Sequence, residues 1–134
     1  MVTTLARLYL DARNRLMETE EPQLAGQMAR ELVSTFSGRT QEQFLLEKDA
    51  PAEEALCLRV GEGVDRLLAG EPLPYVLGEW TFYGLPMVVS PDVLIPRDDT
   101  CAVAELAIHR GLFLHGDACI VVVWCGTGWI GVAI

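Results

Sequence analysis

Residues 70–84, Gly70-Glu71-Pro72-Leu73-Pro74-Tyr75-Val76-Leu77-Gly78-Glu79-Trp80-Thr81-Phe82-Tyr83-Gly84, divide the sequence into two kinds of chain. Pro72 and Pro74 bar a helix from running on past Gly70, because proline has no amide hydrogen and its ring collides with the preceding turn. Beyond them Trp80, Thr81, Phe82 and Tyr83, then Gly84, then Pro86, Met87, Val88 and Val89 predict two short strands about a turn. Residues 70–97 therefore read as a β-hairpin linker, whose extended tail is punctuated by Pro91 and Pro96 and ends at Arg97.

On the N-terminal side the apolar period is helical. Leu5, Leu8, Ala12 and Leu16 recur at three- and four-residue steps, with Arg7, Asp11, Arg13 and Arg15 on the other faces. Pro22 suits the first turn of a second helix, complemented by the acidic residues Glu18, Glu20 and Glu21 before it. Its face is Ala25, Met28, Ala29, Leu32, Val33 and Phe36, and it ends at Gly38. Thr40 with Gln43 forms a capping-box pattern that opens a short third helix through Phe44 and Leu45. A fourth is expected to start at Pro51 and to run through Leu56, Val60, Val64 and Leu67 to Gly70. Gly61 and Gly63 oppose it, each by about 1 kcal/mol relative to alanine. Residues 1–69 thus predict a small helical bundle.

On the C-terminal side Asp98, Asp99 and Thr100 offer caps for a helix carrying Val103, Leu106 and Ala107. Ala118–Trp124 is a continuous apolar run followed by Gly126-Thr127-Gly128 and then Ile130, Val132 and Ile134. This order predicts a buried strand, a glycine turn and a helix start, the opening βα unit of a parallel sheet. A glycine turn there lets backbone N–H groups approach a ligand, so the turn Cys125, Gly126, Thr127 and Gly128 reads either as a candidate site for a nucleotide-like ligand or as a plain tight strand-to-helix connection. The fold class is mainly α: a helical bundle, a hairpin linker, and the first βα unit over residues 98–134.

A chain of 134 residues with 51% apolar content can bury a real core, and its formal charge of −9 argues against a nucleic-acid binder. Cys57, Cys101, Cys119 and Cys125 contain no C-x-x-C pair, and His109 and His115 add no zinc-ligand spacing, so no metal site is expected. With no signal peptide at Met1 and no long apolar span, the sequence reads as cytoplasmic, with reduced thiols and no membrane partner.

The block Gly70–Gly78, then Phe82-Tyr83-Gly84-Leu85, then Val93-Leu94-Ile95-Pro96-Arg97 and Asp99-Thr100, strongly resembles the family that methylates release factors on glutamine, PrmC/HemK. The resemblance is weaker through residues 1–69 and moderate at the glycine turn. It implies a helical N-terminal domain that engages a peptide chain release factor, a hairpin linker, and a Rossmann-like methyltransferase domain. It also implies S-adenosylmethionine as cofactor, with Cys125, Gly126, Thr127 and Gly128 as the candidate cofactor-binding residues, and, as target, the glutamine of a Gly-Gly-Gln motif.

The family's Asn-Pro-Pro-Tyr motif, which orients the target amide, is absent; the only asparagine is Asn14. The sequence departs from the family again at Val122, where an acidic residue is expected, at Trp124, where a small one is, and at Cys101, which replaces a glutamate. No catalytic residue is therefore assigned, and the chain alone is expected to be inactive, as the N-terminal portion of a longer enzyme. Two alternatives stand beside this. One is a non-catalytic protein-binding helical module. The other is an altered chain in which Val122, Trp124 and Trp129 serve packing, with self-association through an exposed C-terminal strand.

Overall fold

A computed structural model describes residues 2–111, 119–122 and 126–134. The chain forms two compact units, Met1–Leu77 and Gly78–Ile134, and among the described residues it is mostly helical with one two-stranded antiparallel sheet.

The first unit holds five helices: α1 (Leu5–Leu16), α2 (Pro22–Ser37), α3 (Gln41–Leu46), α4 (Glu54–Leu68) and α5 (Leu73–Leu77). The expected stripe of α1 is the buried one, Leu5, Leu8, Ala12 and Leu16. Its first-turn N–H groups, which have no partner within a helix, are all satisfied. Leu5 donates to the Ala50 carbonyl at 3.0 Å, Ala6 to that of Lys48 at 2.8 Å, and Arg7 to the Thr4 hydroxyl at 3.3 Å. α2 carries proline in its first turn and packs against α1, α3, α4 and α5, burying Ala25, Ala29, Leu32 and Val33. At α3 both arms of the capping box are made: Gln43 N–H donates to Thr40 Oγ1 at 3.2 Å, and Thr40 N–H donates to Gln43 Oε1 at 2.9 Å.

Three details of this unit differ from the sequence reading. Pro51 does not open α4, which begins at Glu54; instead Pro51 bridges Thr4, and Ala52 N–H donates to the Thr3 carbonyl at 2.7 Å. Pro51 and Ala52 stay out of the helix because they pair with the N-terminal segment. Residues 73–77 turn helical where a linker was expected, since Pro72 and Pro74 lie at the start of α5, where no amide donor is required. Gly63 sits in α4 for a packing reason: a Cβ there would lie 2.9 Å from Leu32 Cδ1 and 3.2 Å from Phe36 Cε2. The same construction at Gly61 meets nothing within 4 Å.

The α4–α5 corner is tied by Arg66, whose Nε donates to Glu71 Oε2 at 2.7 Å and whose Nη2 donates to the Tyr75 carbonyl at 3.4 Å. This hydrogen bond, helped by the charge attraction, holds the Glu71 carboxyl below its ordinary range and raises the Arg66 guanidinium.

The second unit begins with strands β1 (Glu79–Phe82) and β2 (Leu85–Val88), in register Trp80 opposite Met87 and Phe82 opposite Leu85. The two residues between them, Tyr83 and Gly84, have φ of 50° and 75°. Both being positive is the signature of the turn whose twist matches a two-residue hairpin. The hairpin buries Phe82 and Met87 against Ala104 of α6 (Asp98–Gly111), with Cys101 and α7 (Trp129–Ala133) packed on the same cluster.

The helix expected to carry Val103, Leu106 and Ala107 is present as α6, although its apolar residues are not all buried. Val103 is 55% and Leu106 61% exposed, while the small Ala104 is buried, because Phe82 and Met87 already fill the space beside the helix. The strand expected over residues 118–124 is also not found in its described part: residues 119–122 are not in a strand, and Val121 is 79% exposed. A parallel strand needs a neighbour to take its N–H and C=O groups, and the one sheet among the described residues holds only β1 and β2. The remaining positions of that run lie outside the described residues.

Candidate cofactor site

The second unit contains a cavity of about 470 Å3. One wall is the segment from Asp92 to Arg97 together with Thr100, at the start of α6; the other is Gly126 and Thr127 with Trp129 and Ile130 of α7. The proline-punctuated segment makes that wall outside any helix or strand: it opens with a turn at Pro91 and Asp92, where the Ser90 carbonyl accepts from Val93 N–H at 3.0 Å, and Pro96 keeps a helix from starting before Asp98. α6 then starts at Asp98, with the Thr100 N–H donating to the Arg97 carbonyl at 3.0 Å. Asp98 and Asp99 thus lie inside the first turn, not before it, where their charge complements the helix dipole.

The opposite wall depends on glycine. Gly126 and Gly128 have φ of 54° and 78°, and an added Cβ at either would meet nothing within 4 Å. This leaves open space over the backbone, which a ligand can approach closely. Gly128 caps α7, its carbonyl accepting from Val132 N–H at 3.0 Å. Trp129 is half-buried and packs on Phe82 with ring centroids 6.2 Å apart, so the hairpin core positions the side chain that borders the cavity.

Of the four residues singled out from the sequence, Gly126 and Thr127 border the cavity, Gly128 adjoins it as the cap of α7, and Cys125 lies outside the described residues. Trp124 lies outside them too. Val122, half-buried, is apolar in a position where an acidic residue was expected, and it lies near α7, since a Cβ built on Gly131 would come 3.9 Å from its Cγ2. Cys101 packs into the Phe82 cluster and does not line the cavity, so this position gives the cavity no carboxylate.

Arg97, which the sequence leaves open between a structural hydrogen-bond donor and a cofactor neighbour, and Thr100, a cap candidate, both line the cavity with the glycine turn. Asp92 and Ile130 were missed. The signal for Asp92 was its place in the proline-bounded segment; nothing in the apolar residue Ile130 marks it out. Asp92 and Arg97 put one charge of each sign on the same wall. Neither is in an ion pair among the described residues, so both are available to a polar ligand. Also among the described residues, no cluster of His, Cys, Asp and Glu is suited to a metal ion, and no helix is long and apolar enough to cross a membrane.

A sequence model of the PrmC N-terminal domain matches residues 7–78, more than half of the chain. The chain belongs to the PrmC N-terminal domain family. Its similarity to curated relatives also reaches past that domain. The release factor glutamine methyltransferase of Nitratidesulfovibrio vulgaris is 35% identical over 133 residues, covering 98% of this chain and 43% of the relative. That of Bordetella pertussis is 37% identical over 114 residues, or 85% of this chain and 41% of the relative. The enzyme of the same name from Vibrio cholerae is 44% identical over 69 residues, 52% of this chain and 23% of the relative. The chain spans less than half the length of these relatives of the PrmC family.

Proposed function

We propose that the chain combines the partner-docking end of a release factor glutamine methyltransferase with the first wall of its S-adenosylmethionine site. In this reading residues 1–69 form the recognition domain, residues 70–97 the linker, and residues 98–134 the opening of the methyltransferase domain. The observation that carries it is the cavity joining the glycine turn Gly126-Thr127 to the Asp92–Arg97 segment and Thr100. Its volume falls in the ordinary range for small-molecule sites, about 300–1,000 Å3.

The residues present suit the cofactor. S-adenosylmethionine supplies an electrophilic methyl group on a sulfonium that also bears an amino acid and a nucleoside. The open backbone over Gly126 and Gly128 would admit it, the Arg97 guanidinium would donate to its carboxylate, and Asp92 would accept from its amine or hydroxyl groups. The target reaction, methylation of the side-chain amide nitrogen of a Gly-Gly-Gln glutamine, further requires that a weakly nucleophilic amide be held in line with the methyl group. This sequence has no Asn-Pro-Pro-Tyr motif to hold it.

The test is methyl transfer from labelled S-adenosylmethionine to a Gly-Gly-Gln release factor, using the 134-residue chain beside a version extended to the length of its relatives. Activity is expected in the extended protein alone, with Arg97→Ala raising its KM for the cofactor. Activity in the 134-residue chain would place the catalytic apparatus elsewhere. A second reading, a non-catalytic protein-binding module, draws on the first unit's having a core of its own. It is favoured if the chain binds a release factor while the extended protein transfers no methyl group.

A further inference from the structure

Four arginines of the first unit are already engaged: Arg15 with Asp65, Arg39 with Glu47, Arg66 with Glu71, and Arg59 on the face of Phe36, 4.7 Å from its centroid. Arg13 and Arg30 make no such contact among the described residues. They border one groove of about 760 Å3 between α1, α2 and the start of α3, with Tyr9, Gln23, Gln27 and Glu31 also on its walls.

Its floor is built around a missing side chain. Gly26 is buried in the middle of α2, and a Cβ there would lie 3.3 Å from Tyr9 Oη and 3.7 Å from Arg13 Nε. A glycine at this point costs α2 about 1 kcal/mol relative to alanine, and its bareness lets Tyr9 and Arg13 lie close over the helix. Tyr9 is held in turn by edge-on contact with Phe44, at 5.9 Å between centroids. The groove therefore presents two guanidiniums in a protein of net charge −9.

We propose that this groove docks an acidic peptide segment of a protein partner, the guanidiniums of Arg13 and Arg30 donating to its carboxylates and the amides of Gln23 and Gln27 to its backbone. The proposal rests on reading the first unit as the docking part of the chain. Two free cations match a short acidic segment. A nucleic-acid site commonly neutralises about 6–10 phosphates, for which this acidic chain has no surface charge to spare. Glu31 adds specificity, since it would repel an acid placed opposite it and accept a basic neighbour.

The experiment titrates the intact chain with a labelled Glu-Ala repeat peptide, its Gln-Ala counterpart, and a Gly-Gly-Gln release factor. It compares Arg13→Gln/Arg30→Gln with Arg7→Gln/Arg110→Gln, a control that makes the same change in net charge away from the groove, with circular dichroism to check that both stay folded. The acidic peptide is expected to bind and the Gln-Ala peptide not to. The groove variant should weaken the acidic peptide and the release factor on the order of tenfold, with the control unchanged. Equal behaviour of the groove variant and the control overturns the proposal, as does RNA competing as well as the acidic peptide. If the release factor does not bind but the acidic peptide does so through Arg13 and Arg30, the groove stands and the release-factor reading falls.

Discussion

Gly61 and Gly63 offer a measurement in which one helix supplies both the test and its control. Replacing either by alanine should gain about 0.5–1 kcal/mol, because alanine loses less backbone freedom on entering a helix. At position 61 nothing opposes the gain, since the new methyl group meets no atom within 4 Å. At position 63 the methyl group would lie 2.9 and 3.1 Å from the two Leu32 Cδ atoms and 3.2 Å from Phe36 Cε2. Leu32 is fully buried and has nowhere to swing, and overpacking of this kind costs about 1–3 kcal/mol.

Gly61→Ala should therefore stabilise the chain, and Gly63→Ala should range from neutral to destabilising by about 2 kcal/mol, leaving a gap of about 1–3 kcal/mol between them. In urea titrations followed by far-ultraviolet circular dichroism, that gap separates the midpoints by on the order of 1 M. Adding Leu32→Val to Gly63→Ala should recover part of the loss, a coupling that two independent sites would not show. If Gly63→Ala stabilises as much as Gly61→Ala, then α4 does not approach Leu32 and Phe36 as closely as described.

Two further outcomes are expected. The Glu71 carboxyl is held below its ordinary value of 4.5 by the hydrogen bond from Arg66. The stability that this pair contributes is thus fully present above that value and is lost as the pH falls through the lower, folded-state value. The midpoint difference between the parent chain and Glu71→Gln should be constant near neutral pH and shrink in acid, and a difference that persists in acid argues against the pair. Phe82→Ala should cost the second unit about 3–5 kcal/mol, which tryptophan fluorescence will report because Trp80 and Trp129 lie in that unit and no tryptophan precedes residue 80 in the sequence. An unchanged fluorescence midpoint would mean that Phe82 is not the centre of its cluster.

The parts of the fold that were legible in advance are those where a local rule and a buried face coincide. The α1 stripe, the Thr40–Gln43 capping box and the Tyr83-Gly84 turn each depend on residues within a few positions of one another. The parts that were not legible depend on partners distant in sequence. Pro51 suits a helix start on its own, but backbone pairing with Thr3 and Thr4 keeps it out of the helix. Val103 and Leu106 suit a buried face, until the bulk of Phe82 and Met87 selects Ala104. For the candidate site, the glycine turn and the Val93–Arg97 block could each be read from the sequence, whereas their meeting across one cavity could not. Gly26 has a place in α2 that periodicity leaves unexplained and that Tyr9 and Arg13 account for.

The hydrogen bonds from Leu5 and Ala6 to the carbonyls of Ala50 and Lys48 bear on how the chain is made. A ribosome releases the N-terminal end first, but the groups that complete the first turn of α1 are encoded about 45 residues later. At synthesis rates of about 5–20 residues per second, the start of α1 waits roughly 2–9 s for them. During that interval the Leu5–Leu16 stripe has no finished bundle to enter, which makes this segment a point of exposure to chaperones and proteases. An N-terminal fusion partner that crowds Thr3 would lengthen that exposure.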